Sequence, residues 1–141
     1  MQYAQRFCST PGYRDGLFWN EAEGEPSSPL GPLFVAASEE GYTPGEICMI
    51  SPAPYHGYHY KILAAQGPDA PGGAYNYVIN GHMVAGFAIV AWPAEYAVSG
   101  IMTFIVNQNG IVYEKNLGPK TEEAIMAMKE YDPDPEWSRA Q

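Results

Sequence analysis

Between Tyr55 and Tyr113 the hydrophobic positions fall into short runs broken by Gly, Pro and Asn, a spacing of strands and turns rather than of long helices. The run from Val84 to Trp92 is apolar on both alternating sets, Phe87, Ile89 and Ala91 against Ala88, Val90 and Trp92. That pattern predicts a central strand covered on both faces. Ile101 to Val106 supplies a partner, and Ile111 to Lys115 a third strand after Asn109-Gly110, a pair that readily takes positive φ. From Gly57 the period is two, with Tyr58, Tyr60 and Ile62 on one face and His59, Lys61 and Leu63 on the other, which predicts a strand near an edge. Ala74 to Ile79 reads as a short strand, and Asn80-Gly81 as a two-residue hairpin turn. Pro93 closes the central strand, because it has no N–H to give to a ladder.

Helical spacing is confined to short pieces. Leu33 to Glu40 has Pro32 in its first turn and Gly41 as a stop. Thr121 is positioned to cap a second helix running to Tyr131, with Glu122 and Glu123 where the helix dipole favours acids. Its buried stripe is Ala124, Met128 and Tyr131, and Asp132-Pro133-Asp134-Pro135 ends it. Trp137 folds back onto the domain, since a wetted indole is costly. Gln2 to Cys8 also has helical spacing but is too short to be stable alone. These elements predict one α+β domain over residues 1–141, an antiparallel β-meander of about four strands packed with short helices. The predicted core is Phe34, Tyr60, Ile62, Phe87, Ile89, Trp92, Phe104, Val106 and Met128.

Charge narrows the partners. Sixteen acidic against seven basic side chains leave a net charge of −9, which repels phosphate backbones and anionic lipid, so no nucleic acid is expected. The apolar runs fall far short of the roughly 20 residues of a spanning helix, so no transmembrane segment is expected either. Met1 to Phe7 lacks the basic-then-apolar pattern of a signal peptide, so the protein is either intracellular or a fragment without its export signal. Cys8 and Cys48 carry the same ambiguity. They are two small buried apolar residues in a reducing compartment, or one bridge in an oxidising one.

The residues with chemistry do not form a recognisable motif. His56 and His59 are three apart and face opposite ways in an extended chain; with Asp69 and His82 they could complete a site only if the fold gathered them. Surface or hydrogen-bonded histidines are the ordinary alternative. No Gly-x-Ser-x-Gly elbow occurs, and Ala70-Pro71-Gly72-Gly73-Ala74 lacks the Gly-Lys-Ser/Thr ending of a phosphate loop. Tyr55, Tyr58, Tyr60, Tyr75 and Tyr77 with His56 and His59 suit either an aromatic groove for sugar or peptide or cross-strand pairs inside a sheet. The candidate ligand-binding residues are therefore His56, Tyr58, His59, Asp69 and His82, with no cofactor and no metal expected.

The segment from Pro54 to Pro68, PYHGYHYKILAAQGP, resembles an uncharacterised family of exported bacterial proteins, domain of unknown function 2950. The likeness continues through Ala70 to Ala74, Gly86 to Ala88, Ala91 to Tyr96, Met102 to Asn107 and Leu117 to Pro119, and earlier at Arg14 to Trp19 and Ser28 to Pro32. It implies the carboxy-terminal part of a longer protein of the periplasm or cell exterior, and names no activity. A weaker likeness, in Gly57 to Tyr60, Phe87, Gly100 to Phe104 and Asn109 to Ile111, is to the sheets of pilins and pseudopilins. The expectation is a non-catalytic exported structural or interaction module of the envelope whose partner is a protein or an envelope polymer. The alternative is an extracytoplasmic enzyme or a sugar- or peptide-binding protein using the loop around Asp69.

Overall fold

The computed structural model describes residues 3–6, 8–10, 13, 16, 17 and 57–140. The chain divides into two compact units, one of Met1–Tyr3 with Pro54–Gln141 and one of Ala4–Ala53. In the second unit, the Leu17 N–H donates to the Arg6 carbonyl at 3.2 Å and the Gly16 N–H to Ser9 Oγ at 2.9 Å. A Cβ on Gly16 would meet the backbone of Cys8 and Ser9 at 2.5 and 2.6 Å, so only glycine fits. The predicted helix from Leu33 to Glu40 lies outside the described residues.

The first unit is built on strands. They are β1 (Tyr58–Leu63), β2 (Ala65–Gln66), β3 (Tyr75–Asn76), β4 (Val78–Ile79), β5 (His82–Met83), β6 (Ala88–Pro93), β7 (Thr103–Asn107), β8 (Val112–Lys115) and β9 (Ser138–Arg139), with one helix, α1 (Thr121–Ala127), between β8 and β9. Five of them form an antiparallel sheet in the order β1-β6-β7-β8-β9, so β6 is internal and β1 lies at the end of that order. The expected four strands are thus exceeded. The short strand expected over Ala74 to Ile79 divides into β3 and β4, which pair with β2 and β5, and β9 is an addition. Asn80 and Gly81 take φ of 51° and 79° and turn β4 into β5, as the Asn-Gly pair predicts.

The central strand begins at Ala88 rather than Val84, for a reason that involves Tyr77. Its carbonyl accepts from the N–H groups of both Val84 and Ala85, each at 3.1 Å, which takes this stretch away from the main ladder. Gly86 then lies against the Tyr77 ring, where a Cβ would sit 2.9 Å from two ring carbons. Gln2 to Cys8 is not helical at its described positions. Tyr3 instead pairs with Met83, donating its N–H to the Met83 carbonyl at 2.6 Å, and tilts its ring against Phe87 at 4.9 Å. A helix that short cannot outweigh such tertiary pairing.

Of the two faces expected to be covered, the one carrying Ala88, Val90 and Trp92 is fully buried and the one carrying Phe87, Ile89 and Ala91 only partly. Register places Leu63, Ala88 and Asn107 in one row and Val90, Ile105 and Tyr113 in the next, and the core is Leu63, Ala88, Val90, Trp92 and Ile105 with Ile125, Tyr131 and Trp137. Of the predicted core, Trp92 is buried, while Ile62, Phe87 and Met128 only pack against it and Tyr60 is 42% exposed. Ile89, Phe104 and Val106 are half-buried, and Phe34 lies outside the described residues. Alternation separates two faces without saying which the helix takes. Thr103 and Asn107 are fully buried on the core face, and Thr103 Oγ1 there has no hydrogen-bond partner. Thr103→Val keeps the β-branched shape and removes a desolvated hydroxyl; we expect it to raise stability by about 1 kcal/mol in urea unfolding. A loss of similar size would mean that the hydroxyl is partnered in solution.

α1 is shorter than predicted and starts differently. A 3₁₀ turn, Gly118–Lys120, leads into it, and Thr121 is its first helical residue, donating its hydroxyl to the Gly118 carbonyl at 2.6 Å instead of capping. Thr121 and Ile125, four apart, are the buried pair, whereas Ala124 is exposed. The helix ends at Ala127 because Met128 turns extended (φ −76°, ψ 122°). There Lys61, reaching from β1, donates its ammonium to the carbonyls of Ile125 (3.2 Å) and Met128 (2.8 Å). Both belong to the end of the helix, where carbonyls lack full internal pairing; the Ile125 carbonyl also accepts the Met128 N–H at 3.0 Å. Burial, and then the charge of Lys129, lowers the Lys61 pKa. Lys61→Met leaves both carbonyls without this donor and is expected to cost about 2 kcal/mol, measured by urea unfolding followed by circular dichroism. An unchanged midpoint would show that the clamp contributes nothing.

A candidate interaction cleft beside Trp137

The residues expected to form a site sit in separate elements. Tyr58 and His59 point to opposite faces of β1. The Tyr58 hydroxyl donates to the Met102 carbonyl at 3.1 Å, its ring lies 6.0 Å from that of Phe104, and burial raises its pKa. His59 rests its ring 5.5 Å from that of Trp92, its cross-strand neighbour. Asp69 is in the exposed turn after β2 and donates its N–H to Asp132 Oδ1 at 2.9 Å. His82 is exposed on β5 opposite Ile79. His56 lies outside the described residues. Among the described residues, no group of three or more His, Cys, Asp or Glu side chains is placed to hold a metal ion. Cys8 is in a disulfide, while Cys48, the other cysteine of the chain, lies outside the described residues.

What the first unit does assemble is an open cleft of about 480 Å³ between α1 and the segment that follows it. One wall is the outer side of α1 and its exit, Ala124, Ala127 and Met128, where two alanines three apart leave room. Leu117 and the buried Trp137 add apolar surface, and Lys115, Lys129, Glu130, Asp132 and Asp134 add charge.

The far wall is held by backbone bonding. Tyr131 donates its N–H to the Ala65 carbonyl and accepts the Gly67 N–H, both at 2.9 Å, so that the chain leaving α1 is tied to β2. Asp132 then accepts from Asp69, and Gly67 lies so close that any Cβ there would collide with the Asp132 carboxyl. Asp134 Oδ1 accepts the Glu136 N–H and the Asp134 carbonyl accepts the Trp137 N–H, at 2.9 and 3.0 Å, a turn that returns the chain into β9. Pairing of Tyr113 with Arg139 continues the register to Lys115 opposite Trp137, and the Lys115 ammonium lies 5.9 Å from the indole centre. The same ammonium pairs with Glu136, whose side chain is 72% exposed.

Sequence reasoning placed Trp137 against the domain but did not find the cleft. Asp132-Pro133-Asp134-Pro135 reads as a helix terminator, and the sequence signal for more was the tryptophan two residues beyond it. Arranged this way, the unit is an α+β domain dominated by an antiparallel sheet, with a mixed apolar and charged surface groove. The chain belongs to the family described as protein of unknown function (DUF2950), whose model matches residues 1–140. No curated protein matches it, and no solved structure does. Among the described residues, no helix is long and apolar enough to cross a membrane.

Proposed function

We propose that the protein is a non-catalytic structural or interaction module exported to the bacterial envelope, where it holds a protein or an envelope polymer through the cleft beside Trp137. The observation that carries this reading is the cleft itself. It is open, its apolar wall is formed by α1 with Leu117 and Trp137, and its charged groups can orient a bound partner. The candidates for chemistry, by contrast, are distributed over β1, the turn after β2 and β5, each with its own neighbours. The meander of β6, β7 and β8 supports the finer, pilin-like version of the structural reading.

The test compares the protein with Ala127→Glu as baits in envelope extract, after fractionation of cells that express it. Ala127 is exposed on α1, so the substitution charges the cleft without touching the core. Recovery of the protein in periplasm or medium, with a captured species lost in the variant, is the expected outcome. Recovery in the cytosol overturns the exported assignment, and equal capture by both baits overturns the cleft as the contact surface.

A further inference from the structure

We propose that the cleft docks a basic segment of a protein partner, a short extended stretch in which lysine or arginine alternates with an apolar residue. This rests on the interaction reading above and specifies its partner. The apolar wall of Ala127, Met128 and Trp137 accepts an aliphatic side chain or the methylene stem of a lysine. Asp132 and Asp134 flank it half-buried, each with Oδ1 held by a backbone N–H, which fixes the carboxylates in place. Fixed carboxylates beside an indole favour a cation.

The cleft already holds cations of its own, Lys129 at the exit of α1 and Lys115 beside the indole. The Lys115 ammonium lies 5.9 Å from the Trp137 ring centre, balanced by an exposed Glu136 in an ion pair of the weak surface kind. Lys115 thus occupies the place a partner's ammonium would take, and acts as a built-in competitor that the partner displaces. The net charge of −9 draws basic partners at long range and disfavours acidic ones.

The experiment uses the full chain, labelled with nitrogen-15, titrated with an acetylated tetrapeptide alternating leucine and lysine and with its leucine–glutamate counterpart. The lysine peptide is expected to shift the Trp137 indole N–H and the Ala124 and Ala127 amides saturably, and the glutamate peptide to leave them unmoved. Asp134→Asn should weaken binding about fivefold, and Lys115→Met, which keeps the apolar stem and removes the competing charge, should tighten it about threefold. Equal shifts with both peptides, shifts only outside the cleft, no shift with the lysine peptide, or weaker binding by Lys115→Met each overturn the proposal. If Asp134→Asn fails to fold, Lys115→Met and the peptide pair still decide. Failure here with Ala127-dependent capture from envelope leaves the interaction reading standing and removes only the basic segment; failure of both removes both.

Discussion

Tyr77→Ala is expected to lower the stability of the sheet unit by about 3–5 kcal/mol, the cost of emptying a large aromatic site that cannot collapse. Tyr77 has no exposed surface and is held on every side. Its N–H donates to the Ala64 carbonyl at 2.8 Å, its carbonyl takes two N–H groups, and Gly86 closes on its ring while Tyr75 meets it edge-on at 5.5 Å. Its hydroxyl donates to Gln66 Oε1 at 2.9 Å, and the Gln66 amide in turn donates to the carbonyls of Pro71 (2.8 Å) and Gly73 (2.7 Å). One aromatic side chain therefore joins the loop after β2, the start of β4 and the approach to β6. Tyr77→Phe separates packing from polarity: it keeps the ring, leaves a buried amide oxygen without this donor, and should cost about 1–3 kcal/mol. Urea unfolding of the two variants measures both. If Tyr77→Phe is as severe as Tyr77→Ala, the hydrogen bonds rather than the ring carry the joint.

Alkaline unfolding between pH 10 and pH 12 is the second large effect. Burial pushes the Tyr77 hydroxyl up to about 12; the neighbouring Tyr75 and Tyr131 add to the rise, and the Asn107 amide, near the hydroxyl but short of hydrogen-bond geometry, opposes it. Tyr131 is pushed up to about 12 as well, by burial first and by Tyr113 second. In the unfolded chain both would ionise near pH 10. The native state therefore keeps protons that the unfolded state has lost, and the corresponding stability is complete below pH 10 and disappears as pH rises through about 12. Near-ultraviolet circular dichroism should lose its native signal in this window, with tyrosinate absorbance appearing in the same step. Tyr77→Phe should move the onset to higher pH relative to its own neutral-pH stability. Ionisation of all eleven tyrosines near pH 10 with the native signal intact would contradict the assignment.

Where local pattern and local chemistry decide an element, the sequence was sufficient. The alternation of Tyr58 to Leu63 defines β1 and its two faces, and Asn80-Gly81 specifies a turn because few other pairs accept two positive φ values in succession. The runs around Ile89 and Ile105 give the antiparallel ladder for the same reason, and the tryptophan in a short polar tail had to find cover.

The remaining features depend on partners distant in the chain. Whether Ile89 or Val90 faces the core is a choice between two equally apolar sets, made by the helix that lies on Val90 and Ile105. The end of α1, where Met128 turns extended, is clamped by Lys61, more than sixty residues earlier, and the start of β6 is set by the carbonyl of Tyr77. Gln66 looks like a loop residue until Tyr77 and two loop carbonyls surround it. The cleft follows the same rule, since Lys115, Ala127, Asp132 and Trp137 meet only once β9 has paired with β8 and Tyr131 has been tied to β2. The sequence by itself determined the four longer strands of the sheet, the Asn80-Gly81 turn and the charge of the protein, which follow from short-range sterics and composition. Which face is buried, where the helix stops and what the surface can hold were decided by tertiary contacts, because each is a competition between alternatives that are locally equivalent.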